Sequence, residues 1–311
     1  MNEISEKVYK DHMVRLRKRQ KKAFEQLITD ECQRRNIPCR VEQSPVVKSR
    51  NIVAGNLEKA KVIFTAHYDT QAELPFPNLI FVGSMWKFLA AQLFMGLMMC
   101  IAIFLPAAVL SAAAVRITDS TFAGLMVFEF LIWFTLFMMF FGKANKNTAN
   151  DNTSGVCVLS ELLFSKEFDG EKAAAVFFDN EEMGLLGSSY FKKLHGKSIK
   201  DKLIINFDCV SDGDFITLVL GKRVREDGET VRLIDKSFTA DFGRTIVKRG
   251  SNKCIYPSDQ LHFKKSVAVA AMKKGPLGLY LNRIHTRRDT VFQRENIEFL
   301  KKSSLNLISN M

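Results

Sequence analysis

The apolar positions of this chain follow two different rules. Along most of it, short runs of aliphatic and aromatic residues alternate with polar stretches and with segments of helical period, the pattern of an α/β domain. The runs at 62–64, 172–178, 203–207, 215–220 and 266–272 carry almost no charge, as strands covered on both faces do. Weaker strand signals lie at 40–47, 51–53 and 245–248. Helical periodicity marks 156–164, 185–194, 229–242 and 293–309. A helix over about 5–35 ends at Asn36-Ile37-Pro38. Within it, Phe24, Leu27, Ile28 and Cys32 recur at helical spacing and predict a face packed on the domain.

In the middle of the chain the rule changes. Residues 88–115 contain no charge, and 120–142 contain one, Glu129. At about 1.5 Å per residue, either helix is long enough to cross a hydrocarbon core of about 30 Å. With the polar tip 116–119 between them, they predict a transmembrane hairpin. Pro106 falls inside its first helix, where neighbouring groups in a membrane tolerate it. A hairpin returns the chain to the side it left. Lys87, Lys143 and Lys146 flank it there, against Arg116 alone at the tip, so the remainder is expected in the cytoplasm. Glu129 is expected near mid-membrane, where a carboxyl is costly. It predicts either contact with a substrate or a second chain, or protonation and packing against the other helix. The expected organisation is a basic N-terminal helical segment at 1–22, a single main domain formed by 23–78 and 143–311, and a hairpin insertion at 79–142. Its helices are expected at about 88–115 and 120–142.

Charge and cysteine usage extend this picture. The net charge is +12, and the hairpin region contributes only Arg116, Asp119 and Glu129, so the basic excess lies outside it. Lys and Arg fill eight of the sixteen positions at 7–22. That run reads as a solvated helix face or as a tether to anionic headgroups. A basic surface suits nucleic acid or an anionic membrane. No nucleic-acid motif accompanies the charge, so the expected partner is the lipid bilayer and not nucleic acid. The six cysteines are scattered, with no C-x-x-C, and read as free thiols of a reducing compartment. The first residues are too polar for a secretory signal.

The candidate chemistry gathers at strand ends, where parallel sheets present their reactive groups. The strand starting at Val62 ends in His67-Tyr68-Asp69-Thr70. Glu182 follows the strand 172–178, and Asp208 follows 203–207. Asp151 and His285 come from loops next to such elements. Two histidines and three carboxylates suit a pair of divalent metal ions, and a carboxylate with two oxygens can bridge them. Imidazole with carboxylate favours zinc, with cobalt or manganese as substitutes. Two ions about 3.5–4 Å apart hold a nucleophilic oxygen and polarise a carbonyl. Asp69, two residues from His67, is placed to orient it. In the pair Glu181-Glu182, neighbouring side chains diverge. One can hold metal while the other serves as general base, passing a proton to a leaving amine.

The motifs H-Y-D-T at 67–70, N-D-N-T-S-G at 150–155, D-N-E-E-M-G-L-L-G-S at 179–188, N-F-D at 206–208, S-D-Q-L-H-F at 258–263 and I-H-T-R-R-D-T at 284–290 follow one another. Their order resembles that of the M28 family of co-catalytic zinc peptidases. The resemblance covers about 20–78 and 143–311. It implies a mixed, mostly parallel β-sheet sandwiched by helices, of the zinc-peptidase/phosphorylase-like kind, here interrupted by the hairpin. It implies His67, Asp151, Glu182, Asp208 and His285 as zinc ligands, with Asp151 bridging, Asp69 orienting His67 and Glu181 as base. It matches Tyr256 to a tyrosine that stabilises the oxyanion in some members. Two departures stand out. The family's usual S-D-H reads Ser258-Asp259-Gln260 here, and the hairpin is inserted between the H-x-D motif and the bridging aspartate.

The implied function is a membrane-anchored, zinc-dependent aminopeptidase acting on peptide substrates at the cytoplasmic surface, hydrophobic or membrane-associated ones included. The alternatives are a glutaminyl cyclase-like acyltransferase, able to work with one zinc and no hydrolytic water, and a non-catalytic peptide-binding membrane protein. Homo-oligomerisation stays open. Gly142 and Asp151 are nine residue steps apart, so the bridging ligand is expected within about 32 Å of the hairpin's end.

Overall fold

A computed structural model of the chain describes residues 1–74, 76 and 78–311. In chain order its elements are α1 (Glu3–Asp11), α2 (Lys18–Arg34), β1 (Cys39–Gln43), β2 (Arg50–Ala54), β3 (Val62–His67), β4 (Ile80–Val82), α3 (Met85–Thr118), α4 (Thr121–Phe141), α5 (Gly155–Leu163), β5 (Ala173–Phe178), α6 (Leu186–His195), β6 (Leu203–Phe207), β7 (Phe215–Leu220), α7 (Lys222–Glu226), α8 (Gly228–Ser237), β8 (Thr245–Gly250), β9 (Ser266–Gly275), β10 (Gly278–Leu281) and α9 (Arg294–Ser309). The strands form one mixed sheet in the order β1-β2-β5-β3-β6-β9-β10-β4, with β7 beside β9 and β8 beside β7. Its centre is parallel: β5, β3, β6 and the start of β9 run the same way. β2, β7 and β10 are added antiparallel.

Every residue of β3, β5 and β6 is buried. The uninterrupted apolar runs follow from this, because both faces are covered. Phe64 and Phe207 point to the face packed by Phe24 of α2, Leu159 of α5 and Leu300 of α9. Ile63, Val176 and Phe178 point to the opposite face, with Phe191 of α6. Each such side chain contributes about 1.5–3 kcal/mol by leaving water. β4 and β10 have no counterpart in the apolar pattern. Ile80–Val82 pairs with Leu279–Leu281, so residues expected within the insertion extend the sheet.

The helix expected over 5–35 is two helices with a break at 12–17. Ile4 and Val8 of α1 are buried in the main core, and Asn2 caps the helix by accepting from the Ser5 amide at 2.8 Å. Arg15 then turns inward and is fully buried. Its guanidinium donates to the main-chain carbonyls of Tyr68, His12 and Met13 and to Thr153 Oγ1. The Arg15 amide also donates to Thr70 Oγ1, at 3.0 Å. These bonds dictate the break, since an unbroken helix would carry Arg15 away from the H-Y-D-T segment.

α3 and α4 are both long and apolar enough to cross a membrane, and their surfaces are largely exposed. α3 starts three residues before its expected bounds and ends three beyond them, and α4 lies one residue inside its expected bounds at each end. Ser84 and Ser120 cap them by accepting from the Lys87 and Ala123 amides. The helices touch at Gly124, where a Cβ would lie 2.3 Å from Val115 Cγ2. Small residues permit such close crossings. Glu129 is exposed. Phe88 and Ala91 are buried at the start of α3, and Gln92 Nε2 donates to the Leu79 carbonyl at 3.0 Å. At the base of the hairpin Ala72 bridges Ala144, and the Glu73 amide donates to Lys143 O at 2.8 Å. None of the six cysteines is paired.

Arg15→Met keeps the stem but strands the carbonyls of Tyr68, His12 and Met13. Thermal unfolding in detergent is expected to show a loss of at least about 2 kcal/mol. An unchanged transition would mean that Arg15 does not tie the N-terminal segment to the sheet.

Candidate metal centre

The centre forms where the parallel strands end. His67 is the last residue of β3, and Asp208 follows β6 directly. Glu181 and Glu182 lie just beyond β5, in the loop leading to α6. Asp151 sits in the loop before α5, and His285 in the loop after β10. His285 has a φ of 63°, and Asn180 and Cys209, each beside a candidate ligand or base, have φ of 57° and 55°. Left-handed backbone at non-glycine residues is sparsely populated and gathers at functional sites.

Two groups of donor atoms meet here. His67 Nε2 lies 3.4 Å from Asp151 Oδ1 and 3.6 Å from Asp208 Oδ1. His285 Nε2 lies 3.0 Å from Asp151 Oδ2 and 3.1 Å from Glu182 Oε2. Asp151 therefore turns one carboxylate oxygen to each group. Ligands about 2.1 Å from a tetrahedral zinc stand about 3.4 Å apart, close to the observed spacing. Glu182 Oε1 and Asp208 Oδ1 are buried without a hydrogen-bond partner among the described residues. An orphaned carboxylate oxygen in such a place suits a cation. The residues present fit two zinc ions, one beside His67, Asp151 and Asp208, the other beside Asp151, Glu182 and His285.

The surroundings fix the donors. Asp69 accepts from the amides of Glu181 and Glu182, at 3.0 and 3.1 Å through separate oxygens. Its carboxylate is 3.6 Å from His67 Nδ1, whose nearer contact is the Asp69 main-chain carbonyl at 3.2 Å. The carboxylate thus holds the Glu181-Glu182 loop, and the main chain faces His67. Burial pushes the Asp69 carboxyl up, but Lys21 and His67 hold it below its ordinary value. Burial pushes Asp151 up as well, and contact with His285 and His67 reverses this. Glu181 is different. Burial raises its carboxyl well above the usual range; His67 opposes this, and Glu182, Asp259 and Asp208 add to it. Its carboxyl makes no hydrogen bond among the described residues, so it is free to take a proton. Tyr256 is buried, and its hydroxyl donates to the Asp208 carbonyl at 3.0 Å. The oxyanion role implied for it would require that bond to break.

Several contributors were not singled out from the sequence. Asp289 accepts from the amides of Asn150 and Asp151 at 2.8 and 2.9 Å and so sets the bridging loop. It closes the I-H-T-R-R-D-T motif, which was the available signal. Asn152 Nδ2 reaches the carbonyls of His67 and Phe207 at 3.3 and 3.0 Å, tying that loop to β3 and β6. Gly155 allows this: a Cβ there would lie 2.4 Å from Asn152 Oδ1 and 2.5 Å from Phe207 O. Asp259 is buried, neither of its carboxylate oxygens meets a hydrogen-bond partner among the described residues, and burial pushes its carboxyl up to about 7.

The model of peptidase family M28 matches residues 136–309, more than half of the chain. The chain belongs to peptidase family M28. His67 and Asp69 of this M28 peptidase lie before the matched stretch. Solved structures extend the likeness to nearly the whole fold. Glutaminyl cyclase from Tannerella forsythia superposes with a TM-score of 0.60 at 16% identity, over 99% of this chain and 96% of the other. LapB from Legionella pneumophila gives 0.59 at 15% identity, over 98% and 69%. The LapA aminopeptidase of the same organism gives 0.57 at 13%, over 98% and 68%. At these identities the likeness is one of fold. No curated protein matches the chain.

Asp69→Asn replaces an acceptor of the Glu181-Glu182 amides with a donor. Zinc affinity, measured by competition with a chromophoric chelator, is expected to fall about 10- to 100-fold, as for other groups that support metal ligands. An unchanged affinity would show that this loop holds Glu182 without Asp69.

Proposed function

We propose that this M28 peptidase is a membrane-anchored, zinc-dependent aminopeptidase that removes N-terminal residues from peptides at the cytoplasmic membrane surface. The observation that carries the reading is the split carboxylate of Asp151, one oxygen toward His67 and the other toward His285, beside the unbonded carboxyl of Glu181. His67 and Asp208 would hold one ion, Glu182 and His285 the other, with Asp151 shared. When bound, the ions supply Lewis acidity to the peptide carbonyl and acidify the attacking water. Glu181 takes a proton from that water and returns it to the leaving amine nitrogen. Asp69 keeps Glu181 and Glu182 in step, because one carboxylate holds both amides. Tyr256 fixes the main chain of Asp208.

The anchoring half of the reading rests on α3 and α4, whose length and apolarity suit a bilayer crossing. The lysines at 87, 143 and 146 against Arg116 at the tip favour a cytoplasmic main domain.

The test uses the full chain in detergent with short peptides bearing free or acetylated N-termini, read by mass spectrometry. Metal-replete protein is expected to release single N-terminal residues only from free termini. Chelation should abolish release, and Glu181→Gln should lower kcat by about 10²- to 10⁴-fold while leaving the bound zinc in place. A pyroglutamate product would instead establish a glutaminyl cyclase. Cleavage that survives Glu181→Gln would remove Glu181 from the base role.

A further inference from the structure

A groove of about 380 Å³ leads away from the candidate centre. Asp69 and Glu182 line it, together with Phe140 and Phe141, the last two residues of the membrane-type helix α4. Met183 and Leu186, which follow the Glu181-Glu182 pair, and Val47, from the turn between β1 and β2, line it too. Val47 and Met183, outside the hairpin, are 39 and 38% exposed. Clustered exposure of this kind marks a binding surface rather than scatter.

The hairpin wall is fixed relative to the centre. The Arg17 guanidinium donates to the carbonyls of Phe141 and Gly142, each at 2.8 Å. Directly after H-Y-D-T, Gln71 and Glu73 bond to Asn145 and Lys143 on the returning arm of the hairpin. The distance from Glu182 to the end of α4 is thus set by the fold and not by a free linker.

We propose that this groove binds the part of a peptide that follows the scissile bond, and that it selects peptides apolar at those positions which reach the centre from the bilayer surface. The proposal deepens the aminopeptidase reading and rests on it. When the N-terminal residue is the one released, the remaining chain has to run out of the centre. This groove offers it the apolar side chains of Val47, Met183, Leu186, Phe140 and Phe141, the last two from a helix that suits a bilayer. Arg17, Lys18 and Lys21 line the same groove, so a Lys or Arg in the emerging stretch meets like charge and is disfavoured.

Two peptide series test this with the full chain in phosphatidylcholine nanodiscs. They share length and N-terminal residue and differ in whether the three residues after the scissile bond are Leu/Phe or Ser/Gly. The wild type is expected to show a kcat/KM ratio of at least about tenfold in favour of the apolar series. Phe141→Ser and, on the soluble side, Met183→Ser should each move that ratio toward one. A wild-type ratio near one, or variants that keep it, would overturn the proposal. Met183 is exposed on a loop, so its variant does not depend on the hairpin folding.

A second arm reads binding alone. Glu181→Gln protein is photolysed with a peptide carrying benzoylphenylalanine three residues from its free N-terminus. Cross-links to Phe140, Phe141, Met183 or Val47 are expected. Cross-links elsewhere, or labelling of those walls by a photoreactive lipid but not by the peptide, would overturn the groove assignment. Failure of the wild type to cleave either series would sink the aminopeptidase reading separately, and the cross-links would still decide what the groove holds.

Discussion

Buried negative charge is the constraint on which this structure turns. Asp69, Asp151, Asp208, Asp259 and Asp289 are buried around one point, with Glu181 and Glu182 half-buried beside them. Removing even one carboxylate from water carries a penalty of several kcal/mol unless something positive or donating meets it. The chain supplies part of the answer itself. Lys21 pairs with Asp179 next to the site, Asp69 and Asp289 each take two main-chain amides, and the two histidines face Asp151. Among the described residues both oxygens of Asp259 stay unbonded, and so do Glu182 Oε1 and Asp208 Oδ1 at the candidate ion positions. The last two account for the fit to divalent ions better than the motif does, because they are places where the fold remains electrostatically unfinished.

The same constraint explains why loops at strand ends carry all of the centre's candidate ligands but His67, which closes β3. A strand's amides and carbonyls are committed to its neighbours, whereas a loop at a strand end can aim free amides at a carboxylate. Asn152 and Asp289 use this to hold the Asp151 loop against β3 and β6. The insertion between His67 and Asp151 is tolerated because it enters and leaves at adjoining points, bridged at Ala72 and Ala144. The metal-site scaffold therefore closes over the insertion as if it were a short connection.

Much of this was legible in the chain. A strand buried on both faces writes itself as an unbroken apolar run, so β3, β5 and β6 stand out, and with them the positions that follow. The hairpin is legible for the same reason, as two long apolar stretches that together hold one charge. What could not be read is whatever depends on a partner distant in sequence. β4 and β10 are short, and only their pairing makes them strands. Arg15 is indistinguishable from its basic neighbours until Tyr68 and Thr153 are brought to it. Asp69 is close to His67 in sequence and in space, but its hold on the Glu181 and Glu182 amides spans more than 110 residues and shows only in the fold.

One asymmetry of the hairpin has a mechanical meaning. α3 runs for 34 residues and α4 for 21, and they share a tip. At about 1.5 Å per residue, α3 outreaches its partner by about 20 Å. That excess lies against the sheet edge, where Phe88 and Ala91 are buried and Lys87 Nζ holds the Leu277 carbonyl at 2.6 Å. A floppy leash lets a domain tumble above a bilayer, whereas a continuous helix docked on the sheet behaves as a strut. With α3 and α4 seated in lipid, the angle at which the sheet meets the membrane plane is set by the strut. A chain lying in that plane would then meet the centre from one bearing only.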